Sequence, residues 1–181
     1  MDKDTPTQRL IQSVASHLKK TREKQGLSLE ATAKRTGVSK AMLGQIERSE
    51  SNPTIATLWK IANGLNTSFS AFLAKSDTEA YHGGVVDEEG IQIKTLFPYH
   101  PQTHIESFVI TLTHFHQQLS PAHAIGVIEY LYVLEGEIAV LHDGVWQRLN
   151  AGDALQFHGD QPHGYQAMTE KCVFHNTIYY P

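Results

Sequence analysis

The hydrophobic period of this chain changes once, near residue 75, and that single change constrains the fold more than any other feature. Through residue 73 apolar side chains recur every three or four positions, as on one face of a helix. After residue 76 β-branched and aromatic residues come in short runs separated by turn residues, as in strands. Charge divides at the same place. Residues 1–75 hold twelve Lys and Arg against six Asp and Glu, a net +6, whereas residues 76–181 hold three against thirteen, a net −10. Ten of the eleven histidines also lie in the second part. Such asymmetry points to two domains with different partners, and only the basic one suits a polyanion.

The first part reads as five short helices. Leu10, Ile11, Val14, Ala15 and Leu18 mark one face of a helix that runs toward Lys24 and stops at Gly26. Ser28 is placed to cap a second helix over "LEATAKR", with Glu30 near its positive end. Thr36-Gly37-Val38 makes a tight turn, and Ser39 caps a third helix, "KAMLGQIER". Pro53 precedes a fourth helix whose apolar face is Ile55, Leu58, Ile61, Ala62 and Leu65, and "SFSAFL" forms a short fifth.

Residues 76–104 read as an acidic, glycine-containing linker and a first strand, and residues 105–181 as the core of a second domain. Runs such as "IESFVITLTHF", "EYLYVLEG", "EIAVLH" and "CVFHNTIYY" are punctuated by Asp143-Gly144 and by Asn150-Ala151-Gly152-Asp153. Asp-Gly between two strand-like runs is a strong hairpin signal, because a type I′ turn needs positive φ. Many short strands with no helix between them predict an antiparallel sandwich or barrel. No stretch approaches the roughly 20 apolar residues of a membrane span. The lone Cys172 excludes an internal disulfide, and the N-terminus lacks a secretory pattern. The expected setting is the cytoplasm, with no membrane partner.

Two short helices joined by a Gly-containing turn on a basic domain fit a helix-turn-helix. "GLSLEATAKRTGVSKAMLGQIERSESNPTIATLWKIANGL" resembles the DNA-binding domain of the XRE family, the phage-repressor type, over residues 9–73. The resemblance implies a five-helix DNA-binding domain over residues 1–75, a recognition helix starting at Ser39, and an ion pair between Arg22 and Glu47. With Val38, Leu43 and Ile46 turned inward, Ser39, Lys40, Ala41, Gly44 and Gln45 are expected to face a double-stranded DNA operator. Glutamine bonds adenine bidentately, lysine reaches guanine O6 and N7, and alanine meets a thymine methyl. Met42 adds apolar contact at the edge. Arg48, Ser51 and Asn52, with Ser28 at its helix start, are the expected phosphate contacts.

"SPAHAIGVIEYLYVLEGEI" and "NAGDALQFHGDQPHGY" resemble the two motifs of the cupin family, a likeness covering about residues 105–180. His123, Glu129 and His163 take three of the four ligand places, and Ile125 stands where the remaining histidine would be. Gln117, His158, Asp160 and Ala167 are further departures. The resemblance implies an antiparallel β-barrel or jelly roll with a divalent metal at its mouth, zinc before others, held by those three residues. His158 and His175 lie near the motifs as a further ligand or an outer hydrogen-bond partner. Glu129 should face the lumen, and Tyr130 and Tyr132 should face away from it as packing residues.

The two parts together resemble bacterial XRE–cupin transcriptional regulators, and "VSKAMLGQIERSES" with "TLFPYHP" resembles those of sulfur utilisation. This implies a non-enzymatic regulator whose cupin domain binds a small-molecule effector, a sulfur-containing amino acid, and so shifts operator affinity. A homodimer follows from geometry, since one recognition helix reads only a few base pairs. The competing class is a metal-dependent cupin enzyme, a dioxygenase or isomerase, with the three ligands as a facial triad.

Overall fold

The computed structural model describes residues 6–73 and 85–181, and the chain divides into two compact units, residues 1–78 and 79–181. Among the described residues five helices build the first unit: α1 Pro6–Lys24, α2 Leu29–Thr36, α3 Lys40–Glu47, α4 Ile55–Gly64 and α5 Ser70–Leu73. Ser28, Ser39 and Thr54 are extended, and each side chain accepts a hydrogen bond from the backbone N–H three residues on. Such caps contribute about 1 kcal/mol each, which matters for helices of only two or three turns. Gly37 ends α2 at φ 67°, a left-handed conformation that turns the chain into α3.

The apolar stripes converge as their spacing requires. Leu18, Leu43, Ile55 and Ile61 are fully buried, and Trp59 stacks on Phe69 with ring centroids 4.1 Å apart. The ion pair implied by the resemblance is present and bidentate: Arg22 Nε and Nη2 reach Glu47 Oε1 and Oε2 at 2.6 and 2.9 Å. Arg22 Nη1 also donates to the Leu27 carbonyl at 2.9 Å. One guanidinium thereby ties α1, the α1–α2 turn and the C-terminal end of α3.

The described residues of the second unit hold ten strands: β1 Val85–Glu88, β2 Ile91–His100, β3 Ile105–Thr113, β4 Gln117–Ser120, β5 Ile128–Glu135, β6 Glu137–His142, β7 Val145–Asn150, β8 Ala154–His158, β9 His163–Ala167 and β10 Lys171–Tyr179. They form a six-stranded sheet, β1-β2-β3-β10-β5-β8, and a four-stranded sheet, β4-β9-β6-β7. Pairing among the described strands is antiparallel. Phe108, Leu131, Val133 and Phe174 of the larger sheet and Ile138, Val140 and Tyr165 of the smaller make the core, with Tyr165 and Phe174 rings 5.3 Å apart. Asp143 and Gly144 take φ 49° and 75° between β6 and β7, as a type I′ hairpin requires. The described part of residues 76–104 holds two strands where one was expected, and the expected linker before residue 85 lies outside the described residues: β1 pairs with β2 across Glu89-Gly90, and its acidic residues obscure the strand pattern. Among the described residues no helix is long and apolar enough to cross a membrane.

Candidate functional site

Ser39, Lys40, Ala41 and Gln45 are exposed on α3, and Met42 is 36% exposed beside them. Val38, Leu43 and Ile46 are buried on the opposite side. Gly44, expected among the outward residues, is buried instead. A Cβ on it would lie 3.1 Å from Arg48 Nη1 and 3.8 Å from Leu29 Cδ1, so Arg48 and Leu29 cover this position. Arg48 is an exposed cation, paired bidentately with Glu50 at 2.9 and 2.7 Å. Ser28 and Asn52 are exposed, and the Ser51 hydroxyl lies 3.6 Å from Met42 Sδ. Of the expected contacts, Ser28, Ser39, Lys40, Gln45, Arg48 and Asn52 thus offer polar groups to solvent along and beside one helix, and Ala41 a methyl group.

In the second unit three elements bring His123, Glu129 and His163 together. His123 lies in the loop after β4, Glu129 points inward from β5, and His163 opens β9. One donor atom from each lies within 4.8 Å of the others. His123 Nε2 is 2.9 Å and His163 Nε2 3.2 Å from the same oxygen, Glu129 Oε1. The other oxygen, Oε2, accepts from the Tyr165 hydroxyl and from Asn176 Nδ2 at 2.7 Å. His163 Nδ1 faces the Gln161 carbonyl at 2.8 Å, and a carbonyl can only accept, so Nδ1 carries hydrogen and Nε2 turns to the cluster. Gly159 makes room: a Cβ there would lie 3.0 Å from both Glu129 Oε1 and His123 Cδ2.

The electrostatics follow from this geometry. Burial alone would raise the Glu129 carboxyl, but hydrogen bonds and charge from the two imidazoles hold it well below the usual carboxylate range. Burial opposes the charged form of His163, yet Glu129 and the Gln161 carbonyl raise it above the ordinary histidine value. Burial and then the Glu129 charge push the Tyr165 hydroxyl well up, which keeps it a donor. Two imidazole nitrogens and one carboxylate oxygen make a donor set that would suit a divalent cation.

The two further histidines are not part of this cluster. His158 ends β8 exposed to solvent, and Ile125 is 91% exposed at the place of the missing histidine. His175 lies one residue from Asn176 on β10, so strand alternation turns it to the outer face. The outer hydrogen bonds come instead from Tyr165 and Asn176, which motif spacing did not single out. Their signal in the sequence is polarity at lumen positions: Tyr165 is two residues past His163, and Asn176 alternates with buried Phe174 and Ile178. Asn176 Oδ1 is buried without a partner among the described residues.

Comparison with known proteins fits both units. The helix-turn-helix family model matches residues 18–72 and the cupin domain model residues 114–177. The chain is 43% identical over 173 residues to the HTH-type transcriptional regulator SutR of Escherichia coli (strain K12), covering 95% of this chain and 97% of that one. A crystal structure of a helix-turn-helix (HTH_3) family transcriptional regulator from Vibrio cholerae is 53% identical, with a TM-score of 0.88 over 98% of this chain and 99% of that one. The cupin domain of an XRE family transcriptional regulator from Enterobacter cloacae is 33% identical with a TM-score of 0.50, covering 51% of this chain and 98% of that one. A basic helix-turn-helix unit, a cupin unit and whole-length likeness to such a regulator have one meaning: the chain belongs to the XRE-type DNA-binding transcriptional regulators that carry a C-terminal cupin domain.

Proposed function

We propose that the cupin unit senses a small molecule at a divalent metal held by His123, Glu129 and His163, and that its occupancy sets how tightly α3 holds operator DNA. The observation that carries this reading is the buried cluster, in which two imidazoles converge on one carboxylate oxygen. Zinc suits two nitrogens and one oxygen with a position left open. The metal supplies a Lewis-acidic point of attachment for an effector. A sulfur-containing amino acid fits, since soft sulfur binds zinc well and amino and carboxylate groups chelate it. Asn176 Oδ1, buried without a partner among the described residues, offers such a ligand an acceptor beside the cluster.

On the DNA side Ser39, Lys40, Ala41 and Gln45 read base edges. Ser28, Arg48, Ser51 and Asn52 hold phosphates, with Arg48 exchanging Glu50 for the backbone. A second copy supplies the second half-site, about one helical turn away. A ligand that favours one conformer shifts operator affinity by the difference in its affinity for the two.

Metal content by mass spectrometry, on protein purified without a His-tag or added metal, tests the site. About one zinc per chain is expected, absent from a folded His163→Ala variant. A metal-free wild-type chain would contradict the metal and leave a hydrogen-bonding pocket.

A further inference from the structure

A second carboxylate is buried in the lumen beside Glu129. Glu106 of β3 is 0% exposed, and the ladders put it in the same cross-strand row: Glu106 pairs with Ile178 of β10, and Ile178 pairs with Glu129 of β5. Neighbouring strands lie about 4.8 Å apart, so the two carboxylates leave backbones about 10 Å apart on one face of the sheet. The next row holds Thr95, Phe108, Asn176 and Leu131. Thr95 and Asn176 are thus the diagonal neighbours of Glu106, one on each side, close enough for side chains to share a ligand. Thr95 is 1% and Asn176 2% exposed, and Thr95 Oγ1 and Asn176 Oδ1 are both buried without a hydrogen-bond partner among the described residues. Orphaned atoms of this kind mark a place that a ligand or water completes.

Glu106 is held from the end of the chain. The Tyr180 hydroxyl donates to its Oε1. Tyr180 is fixed in turn by its N–H on the His104 carbonyl at 2.8 Å, by its own carbonyl 3.1 Å from His104 Nδ1, and by the Tyr99 ring, edge-on with centroids 5.8 Å apart. Pro181 packs on Gly126 in the loop that carries His123, where a Cβ would lie 3.0 Å from Pro181 Cγ. Residues 180 and 181 therefore border both Glu106 and the His123 loop. Tyr130 and Tyr132, expected to pack, are 43% and 45% exposed on the other side of β5, so the hydroxyls at the two carboxylates are those of Tyr180 and Tyr165. None of the inward positions of β2, β3, β5 and β10 is Lys or Arg, and the three basic residues of this unit, Lys94, Arg148 and Lys171, are exposed. A second carboxylate in such a lumen suits a cationic group that arrives with a ligand. We propose that Glu106, flanked by Thr95 and Asn176, is an ammonium subsite beside the metal, and that the effector is an α-amino acid held there by its protonated amine while its sulfur and carboxylate are left to the metal. This rests on the metal-centred reading of His123, Glu129 and His163. Asn176 Oδ1 and Thr95 Oγ1 accept the N–H groups that Glu106 leaves over.

Titration calorimetry of the zinc-loaded full chain tests it, with L-cysteine and with 3-mercaptopropionate, which has the same thiol and carboxylate but no amine. Wild type is expected to bind L-cysteine about tenfold or more tighter. Glu106→Gln should erase that preference by weakening L-cysteine alone, with 3-mercaptopropionate bound as in wild type. Thr95→Val removes an acceptor that has no partner in the empty lumen, so it should fold as wild type and weaken L-cysteine selectively, about threefold or more. That variant keeps the test sound if Glu106→Gln misfolds by circular dichroism. Equal affinity of wild type for the two thiols would overturn the subsite while the metal reading stands. So would a full preference kept in folded Glu106→Gln and Thr95→Val, which would put the amine on the metal. A wild type that takes up no zinc, or binds neither thiol, would overturn both.

Discussion

Lys40 and Gln45 stand in solvent on α3, whereas the side chains of His123, Glu129 and His163 are no more than 3% exposed. The contrast concerns what each site must do before its ligand arrives. A duplex brings its own charge to an exposed helix, so Lys40 and Gln45 need no internal partners and add little to the stability of their unit. The cluster gathers charges away from water, so every member is held by another: two imidazoles on one carboxylate oxygen, Tyr165 and Asn176 on the other. Removing one member leaves the rest uncompensated. Substitutions should therefore cost affinity on α3, and stability together with metal binding in the cupin unit.

The largest effect that follows is at Glu129. Glu129→Ala should destabilise the cupin unit by about 3–5 kcal/mol, since it strands two buried imidazoles and the Tyr165 and Asn176 donors. Urea unfolding of the full chain should show that transition moved and the helical one unmoved; a change under about 1 kcal/mol would erase the contrast. Next is Gln45→Ala, expected to cost about 1–3 kcal/mol of discrimination at one base position. Its unfolding should stay within about 0.5 kcal/mol of wild type. An equal loss on every sequence would make Gln45 a phosphate contact. Arg48→Ala should weaken binding uniformly and lower the slope of log affinity against log salt by about 1 per half-site. An unchanged slope would mean that Glu50 keeps Arg48 from the backbone.

The smallest effect sharpens the boundary between the two kinds of site. Gly44→Ala adds a Cβ 3.1 Å from a flexible guanidinium tip, which can move aside, and removes a glycine from a helix interior. A gain of up to about 1 kcal/mol in stability is expected, with base discrimination unchanged. A loss of stability would mean that Arg48 is pinned over α3.

What was legible in the sequence depended on the range of the interaction. Ser28 and Ser39 cap helices through bonds to N–H groups three residues away, so local reading found them. Gly44 was misplaced because its cover comes from Arg48 folding back and from Leu29 of α2, neither visible in helical spacing. In the cupin unit the resemblance to the cupin motifs brought out His123, Glu129 and His163, the three donors that converge. Nearness to the motif misled at His175, where a one-residue step along a strand changes the face, while Asn176 beside it points at Glu129. Tyr165 reaches Glu129 across 36 residues of chain, a contact between sheets that no local pattern carries. The pairing of β1 with β2 was hidden in the same way, by Asp87 and Glu88 on a strand that needs only its backbone to pair.

The central claim is that the buried site governs the exposed one. Its most direct test is the operator affinity of wild type and His163→Ala, by fluorescence anisotropy at fixed salt, with and without L-cysteine and L-methionine. Coupling of about 1–3 kcal/mol predicts a shift of roughly 5–150-fold with at least one of them in wild type. In His163→Ala that shift should vanish, with the affinity measured without amino acid near normal. An equal shift in both proteins, or none in wild type, would contradict the account.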